Sequence, residues 1–230
     1  MVAELTWEDL LAGATLPIQF RGAAPWLLPE ANGGTGVLLR TNMGSIRCLF
    51  HRAAEATRAV LWVAGVGGGF NGGGGLYPLL SDELTEEGIS SLRLSYRKSN
   101  SFLDCVLDVV AGVHFLQERG HSRVALVGHS LGGAVVIAAA PLCDAVATVV
   151  GLASQTYGAH YVSLVSPRPL LLVHGEADTR LGPHCSQQIF QMAREPKELV
   201  LYPGAGHSLR ECREQLHPLL KTWLADKLRG

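Results

Sequence analysis

Short runs of apolar residues, without alternating polar positions, recur along most of the chain. They cover residues 59–65, 91–96, 123–128, 147–153, 169–175 and 198–204. Such runs are typical of strands that are covered on both faces, as in a parallel sheet between layers of helices. The pattern therefore predicts a mostly parallel central sheet.

Segments with helical spacing separate these runs. Phe102, Val106, Val109 and Val113 fall on one face of a predicted helix, and Ser101 is suited to cap its first turn. Other helices are predicted at 77–88, 131–142, 184–193 and 208–228. Strands that alternate with helices indicate an α/β fold whose ligands bind at the carboxyl ends of the strands.

The pattern becomes weaker toward the N-terminus. Residues 1–35 are interpreted as an N-terminal extension packed on the domain, and residues 36–230 as a single α/β domain. The stretch that begins at Val37 predicts a hairpin around a Thr-Asn-Met-Gly turn. Only about fifteen residues precede Pro169 after the strand at 147–153, which leaves no room for an inserted cap domain.

Composition and charge narrow the class of protein. The 230 residues are 47% hydrophobic with a formal net charge of −1, which disfavours nucleic acid and anionic membranes as partners. No apolar run is long enough to span a bilayer, and acidic residues near the N-terminus argue against a signal peptide. Five scattered cysteines without a CxxC pair predict neither disulfides nor a metal site, and they suit the cytoplasm.

A Gly-x-Ser-x-Gly turn, Gly128-His129-Ser130-Leu131-Gly132, links a predicted strand to a predicted helix. In that context a serine is lifted above the sheet as a nucleophile, and glycines allow the tight turn. The N–H of Leu131 would then point toward an oxyanion. A serine that merely caps the helix is the simpler alternative, and the strand and helix around it favour the nucleophile.

A nucleophilic serine needs a base and an acid, which are expected in the chain order serine, acid, histidine. Asp178 follows the strand at 169–175, and His207 follows the strand at 198–204. Glu176 is a competing acid that lies closer to its strand. The sequence therefore predicts Ser130, Asp178 and His207 as catalytic residues, with Asp178 preferred over Glu176.

The segments GHSLGG, HGEAD and PGAGHS resemble the three catalytic segments of the α/β-hydrolase superfamily. The resemblance runs from Val37 to the C-terminus and implies an eight-stranded sheet with an antiparallel second strand. It also implies a second oxyanion donor, the N–H of Val66, with Gly67 beside the substrate. The chain is similar to compact, lidless carboxylesterases and dienelactone hydrolases, although dienelactone-type relatives carry a cysteine where this chain has Ser130.

The glycine-rich loop at 65–75 offers an alternative, because it contains a G-x-G-x-x-G match and the next strand is followed by Arg97 and Lys98. Those features could indicate a dinucleotide site, but a glycine run makes a chance match easy. We expect no cofactor and no metal, and a small-molecule ester or thioester as substrate for a serine hydrolase. Acyl transfer, peptide cleavage and non-catalytic binding on the same scaffold stay open, as does the oligomeric state.

Overall fold

The computed structural model describes residues 10, 15–27 and 33–229. The central strands of the sheet are buried along almost their whole length, because helices cover both faces of the sheet there. The described residues contain nine strands, which are β1 (Phe20–Pro25), β2 (Thr35–Thr41), β3 (Gly44–His51), β4 (Arg58–Val63), β5 (Ile89–Ser95), β6 (Arg123–His129), β7 (Val146–Leu152), β8 (Leu170–Gly175) and β9 (Lys197–Tyr202).

The strand order is β1-β2-β3-β5-β4-β6-β7-β8-β9. Strands β1 and β3 run antiparallel to their neighbours, and the pairs from β5 to β9 are all parallel. The predicted hairpin is formed by β2 and β3. The α/β fold and its mostly parallel sheet are therefore confirmed, including the antiparallel strand β3.

The expected count of eight strands is wrong, because the structure adds β1 at the edge of the sheet. This strand lies within residues 1–35, which the sequence assigned to an extension. Its residues, Phe-Arg-Gly-Ala-Ala-Pro, have little strand propensity, and its place depends on backbone pairing with β2. Residues 1–9, 11–14 and 28–32 lie outside the described residues, and the division at residue 35 stays a prediction.

Five α-helices of the described residues lie on the two faces of the sheet. They are α1 (Leu76–Glu86), α2 (Phe102–Glu118), α3 (Leu131–Ala139), α4 (His184–Met192) and α5 (Arg213–Leu228). Helices α2, α3 and α4 pack in one apolar cluster, whereas α1 and α5 pack in the cluster on the opposite face. All nine residues of α3 are buried, which explains its glycine-, alanine- and valine-rich sequence.

The segment between β7 and β8 is short, as the sequence predicts. It covers residues 153–169 and contains only a 3-10 turn at Val162–Leu164, so no cap domain is inserted there. The carboxyl ends of β4 and β6 to β9 meet at one edge of the sheet, and within the described residues no domain is inserted over that edge. In the part of the chain that the structure describes, no helix has the length and apolar character needed to cross a membrane.

Candidate active site

Ser130 is the single residue between the end of β6 and the start of α3. Its φ is 59° and its ψ is −118°, which is a backbone conformation that residues other than glycine rarely adopt. The Ser130 N–H donates to the carbonyl oxygen of Leu152, 2.8 Å away on the neighbouring strand β7. A serine held in this way carries strain of about 1–3 kcal/mol, which is typical of a functional turn.

Two glycines make the turn at Ser130 possible. A Cβ atom at Gly128 would collide with the backbone of Gly132, and one at Gly132 would lie 2.5 Å from the carbonyl oxygen of Ala64. Real Cβ atoms do not approach so closely, so neither position accepts a side chain. The glycines thus set the close packing of β4, β6 and α3 that holds Ser130.

The structure brings Ser130, His207 and Asp178 together from three separate loops. The Nε2 atom of His207 lies 3.0 Å from the Oγ atom of Ser130, and its Nδ1 atom lies 2.7 Å from the Oδ2 atom of Asp178. Since a carboxylate accepts, Nδ1–H donates to Asp178, and Nε2 is left to accept the serine proton. This is the geometry that a general base and its orienting acid require.

Hydrogen bonds keep the Asp178 carboxyl ionised. Burial raises its pKa, but donation from the Leu181 N–H, the His207 ring and the Arg180 N–H outweighs burial, so that the pKa lies below its ordinary value. The two N–H groups are 3.0 and 2.8 Å from the Oδ1 atom of Asp178. Glu176, the competing acid, is exposed, whereas Asp178 is buried against the histidine.

His174 is a further partner of Asp178 and lies four residues before it, near the end of β8. This fully buried ring lies with its Nε2 atom 2.8 Å from the carbonyl oxygen of Leu181 and 3.1 Å from the Oδ2 atom of Asp178. Because a carbonyl only accepts, Nε2 carries the hydrogen. The Nδ1 atom of His174 lies 2.7 Å from the Oγ atom of Ser186, which is also buried.

His129 holds the backbone of His207. Its Nε2 atom lies 2.7 Å from the His207 carbonyl oxygen, so Nε2–H is the donor. Burial lowers the pKa of His129, which keeps this imidazole neutral at neutral pH. The two residues are 78 apart in the sequence, so this hydrogen bond depends on the tertiary structure.

The oxyanion donors expected from sequence lie on both sides of Ser130. A Cβ atom on Gly65 would be 3.1 Å from the Ser130 Cβ, so the backbone that leads into Val66 passes directly beside the serine. The N–H of Gly68 closes a turn onto the carbonyl of Gly65, 2.9 Å away, with Val66 and Gly67 at its centre. On the other side, Leu131 is the first residue of α3, where helix N–H groups have no intrahelical acceptor.

Buried polar contacts fix the glycine-rich loop. The Arg93 guanidinium is fully buried and donates to the carbonyl of Phe70 and to the Oδ1 atom of Asn71, each 3.4 Å away. Burial lowers the pKa of Arg93 to about 10, which still leaves it charged. The N–H of Gly69 donates to the Ser95 Oγ atom, 3.2 Å away. The loop is therefore tied to β5 beside the serine.

Arg97 and Lys98, the two cations that could serve a dinucleotide site, have partners within the protein. Arg97 is paired with Asp108, which is fully buried, and donates to the Met43 carbonyl, 2.8 Å away. Lys98 lies on the surface, with its Nζ atom 3.9 Å from Asp104. Within the described ranges, no three His, Cys, Asp or Glu side chains are grouped as metal ligands.

Comparison with known proteins gives a family and a fold. The model of the dienelactone hydrolase family matches residues 85–218, which is more than half of the 230 residues. The uncharacterized protein YfhR of Escherichia coli O157:H7 is 30% identical over 128 residues, which span 46% of this chain and 45% of that protein. The match thus covers less than half the length of this relative.

Solved structures share the fold at low sequence identity. Est1E from Butyrivibrio proteoclasticus superimposes with a TM-score of 0.75 at 14% identity, over 86% of this chain and 100% of that chain. Dienelactone hydrolase from Anabaena variabilis superimposes with a TM-score of 0.69 at 18% identity, over 91% and 100%. Both likenesses support the α/β-hydrolase architecture that the strand order displays.

Proposed function

Because this chain belongs to the dienelactone hydrolase family, a group of α/β hydrolases, we propose that it is a serine hydrolase that cleaves small carboxylic esters or thioesters. The observation that carries the proposal is the continuous hydrogen-bond path from Ser130 through His207 to Asp178. A serine hydroxyl is a weak nucleophile by itself, and such a path is what activates it. The mechanism needs no cofactor.

The proposed reaction begins when the Ser130 Oγ atom attacks the substrate carbonyl. His207 Nε2 takes the hydroxyl proton, and the carbonyl electron pair moves to the oxygen to form a tetrahedral oxyanion. When the oxyanion collapses, the bond to the leaving group breaks, and His207 gives the proton to the leaving group. Asp178 orients the histidine and stabilises its cation.

Hydrolysis of the acyl-enzyme repeats these steps with water. His207 takes a proton from the water, the hydroxide adds to the acyl carbonyl, and the acid leaves as the proton returns to Ser130. The N–H groups of Leu131 and Val66 are the proposed donors to the oxyanion in both halves. Each such donor typically contributes a factor of about 10²–10³ to the rate.

A small ester suits the open edge of the sheet, because residues 153–169 carry no cap that would enclose a long chain. Action in the cytoplasm is part of the proposal. The five cysteines, Cys48, Cys105, Cys143, Cys185 and Cys212, are all buried free thiols, which agrees with a reducing compartment.

Labelling with a fluorophosphonate probe tests the proposal. The purified protein and Ser130→Ala are treated with the probe, and the modified peptide is identified by mass spectrometry. We expect stoichiometric modification of Ser130 in the wild type and none in the variant, followed by turnover of esters in a substrate panel. A folded wild type that is not labelled, with circular dichroism as the control for folding, would contradict the proposal.

A further inference from the structure

An aromatic cavity lies at the same edge of the sheet as Ser130. Its volume is about 360 Å³, which is within the range of small-molecule sites. Two short segments form it, the first turn of α2 and the loop that follows β7. Its lining residues are Phe102, Leu103, Tyr157, Gly158, His160 and Tyr161.

Rings dominate the walls of the aromatic cavity. Phe102 and Tyr157 meet edge to face, with ring centroids 5.7 Å apart and planes at 73°. The His160 and Tyr161 rings lie 4.0 Å apart, centroid to centroid. Gly158 has a φ of +85°, and a Cβ atom there would collide with the Phe102 ring, so glycine lets the loop approach α2.

Tyr157 is 74% exposed, although it is a large aromatic side chain. The edge-to-face contact with Phe102 holds this ring against the cavity while leaving most of its surface in water. Apolar surface that faces a concave site is removed from water when a ligand binds, which gives the ligand affinity. An exposed ring in this position is suited to a ligand with a ring of its own.

Backbone contacts connect the aromatic cavity to the nucleophile. The N–H of Gln155 lies 3.4 Å from the carbonyl oxygen of Ser130, and the Gln155 side chain donates to the carbonyl of Tyr157, 3.1 Å away. The loop that carries Tyr157 thus passes beside the backbone of Ser130. Helix α2, which carries Phe102, packs beside α3, whose first residue follows Ser130.

The two faces of the sheet on which the cavity residues and the neighbours of His207 pack indicate whether the acyl group or the leaving group of an ester would enter the aromatic cavity. Phe102, Leu103 and Ala159 pack with the cluster of α2, α3 and α4, whereas Ala205 and Leu209, which flank His207, pack with the opposite cluster. The leaving group must contact His207, because His207 protonates it. A group on the far side of Ser130 from His207 is therefore the acyl group.

We propose that the aromatic cavity binds the acyl group of the substrate and that this group carries an aromatic ring. The inference rests on the proposed function, since it names the substrate class of the same serine. Stacked or edge-to-face pairing would give an aromatic acyl group an advantage over a saturated ring of equal size. The preferred substrates are thus esters or thioesters of arylalkanoic or similar aromatic acids.

Two esters with one leaving group test this directly: the 4-nitrophenyl esters of 3-phenylpropanoic and 3-cyclohexylpropanoic acid. They differ only in whether the ring is aromatic, and the probe reaction at Ser130 is measured in parallel. We expect the wild type to favour the phenyl ester by about 10-fold in kcat/KM, which corresponds to one well-placed aromatic pair.

The variants are Tyr157→Leu and Phe102→Leu, with Leu79→Ser as the matched control, because Leu79 is an exposed apolar residue on α1, away from this cavity. We expect the preference to fall to about 2-fold or less in the two cavity variants and to persist in the control. Tyr157→Leu is the safer variant for folding because the side chain is largely exposed.

The outcomes separate the two proposals. A wild type that is labelled at Ser130 but shows no preference for the phenyl ester would overturn the proposed role of the aromatic cavity. The proposed serine hydrolase activity would stand. A preference that persists in Tyr157→Leu and Phe102→Leu would overturn the role of the cavity as well. A wild type that is folded but not labelled would contradict both the proposed serine hydrolase activity and this inference.

Discussion

The Nε2 atom of His174 lies 3.1 Å from the Oδ2 atom of Asp178, the same oxygen that receives the His207 Nδ1 hydrogen. Both His174 and Asp178 are buried, so this contact fixes the carboxylate away from solvent. His174 does not touch the reacting atoms and is expected to act as a positioning residue.

Replacing His174 by a residue without a hydrogen-bond donor tests whether it positions Asp178. In His174→Leu we expect kcat for a small ester to fall about 10-fold with KM unchanged, since a hydrogen bond to a charged group contributes about 1.5–3 kcal/mol. His174→Gln, whose side-chain N–H can reach Asp178, is expected to recover most of the activity. Equal losses in both variants, at equal thermal stability, would show that His174 contributes packing alone.

Two replacements of Ser130 separate its strain from its chemistry. Ser130→Gly and Ser130→Ala both lack the hydroxyl, but only glycine adopts a φ of 59° with a ψ of −118° freely. We expect the glycine variant to be more stable than the alanine variant by about 1 kcal/mol, after the entropy that glycine adds to the unfolded chain. Calorimetry measures the difference, and an alanine variant of equal or greater stability would mean that the turn is not strained.

The choice between the two acids is testable by matched amides. Asp178→Asn keeps the shape of the side chain but removes the charge that orients His207, so we expect kcat to fall by about 10³–10⁴. Glu176→Gln, on the exposed neighbour, is expected to stay within about 2-fold of the wild type. Kinetics on one ester would reverse the assignment if Glu176→Gln were the inactive variant.

Asp108 predicts a pH dependence of stability. Burial raises its pKa to about 6, against the opposing effect of its partner Arg97, whereas the unfolded value is 3.8. The folded state therefore binds the proton more tightly, and the stabilisation is fully present below pH 3.8 and is lost as the pH rises through about 6. Between pH 7 and 5 the wild type should gain stability relative to Asp108→Asn as the pH falls.

Urea unfolding at pH 7, 6 and 5 measures this difference. Asp104→Asn is the matched control, because it removes the other carboxylate near Arg97 and leaves Asp108 in place. We expect the control to keep most of the wild-type change of unfolding free energy with pH, because the Asp104 charge is the smallest of the causes that shift the pKa of Asp108. A difference between the wild type and Asp108→Asn that does not change with pH would contradict the raised pKa.

The sequence by itself determined the features that depend on neighbours along the chain. Strand and helix periodicity gave the α/β fold, the hairpin and the short segment after β7, because these patterns arise from local backbone geometry. The turn at Ser130 was predictable for the same reason, since the glycines that it needs lie within two residues of it. Asp178 and His207 could be selected as candidates because each follows a predicted strand, in the expected chain order of serine, acid and histidine.

Only the tertiary structure decided what depends on residues remote in sequence. His207 and Ser130 are separated by 77 residues, and their 3.0 Å contact exists because β6 and β9 end at one edge of the sheet. Strand β1 carries too weak a pattern to predict and is placed by its pairing with β2. Likewise, the aromatic cavity arises where the start of α2 and the loop after β7 converge, and no local rule of sequence encodes that convergence.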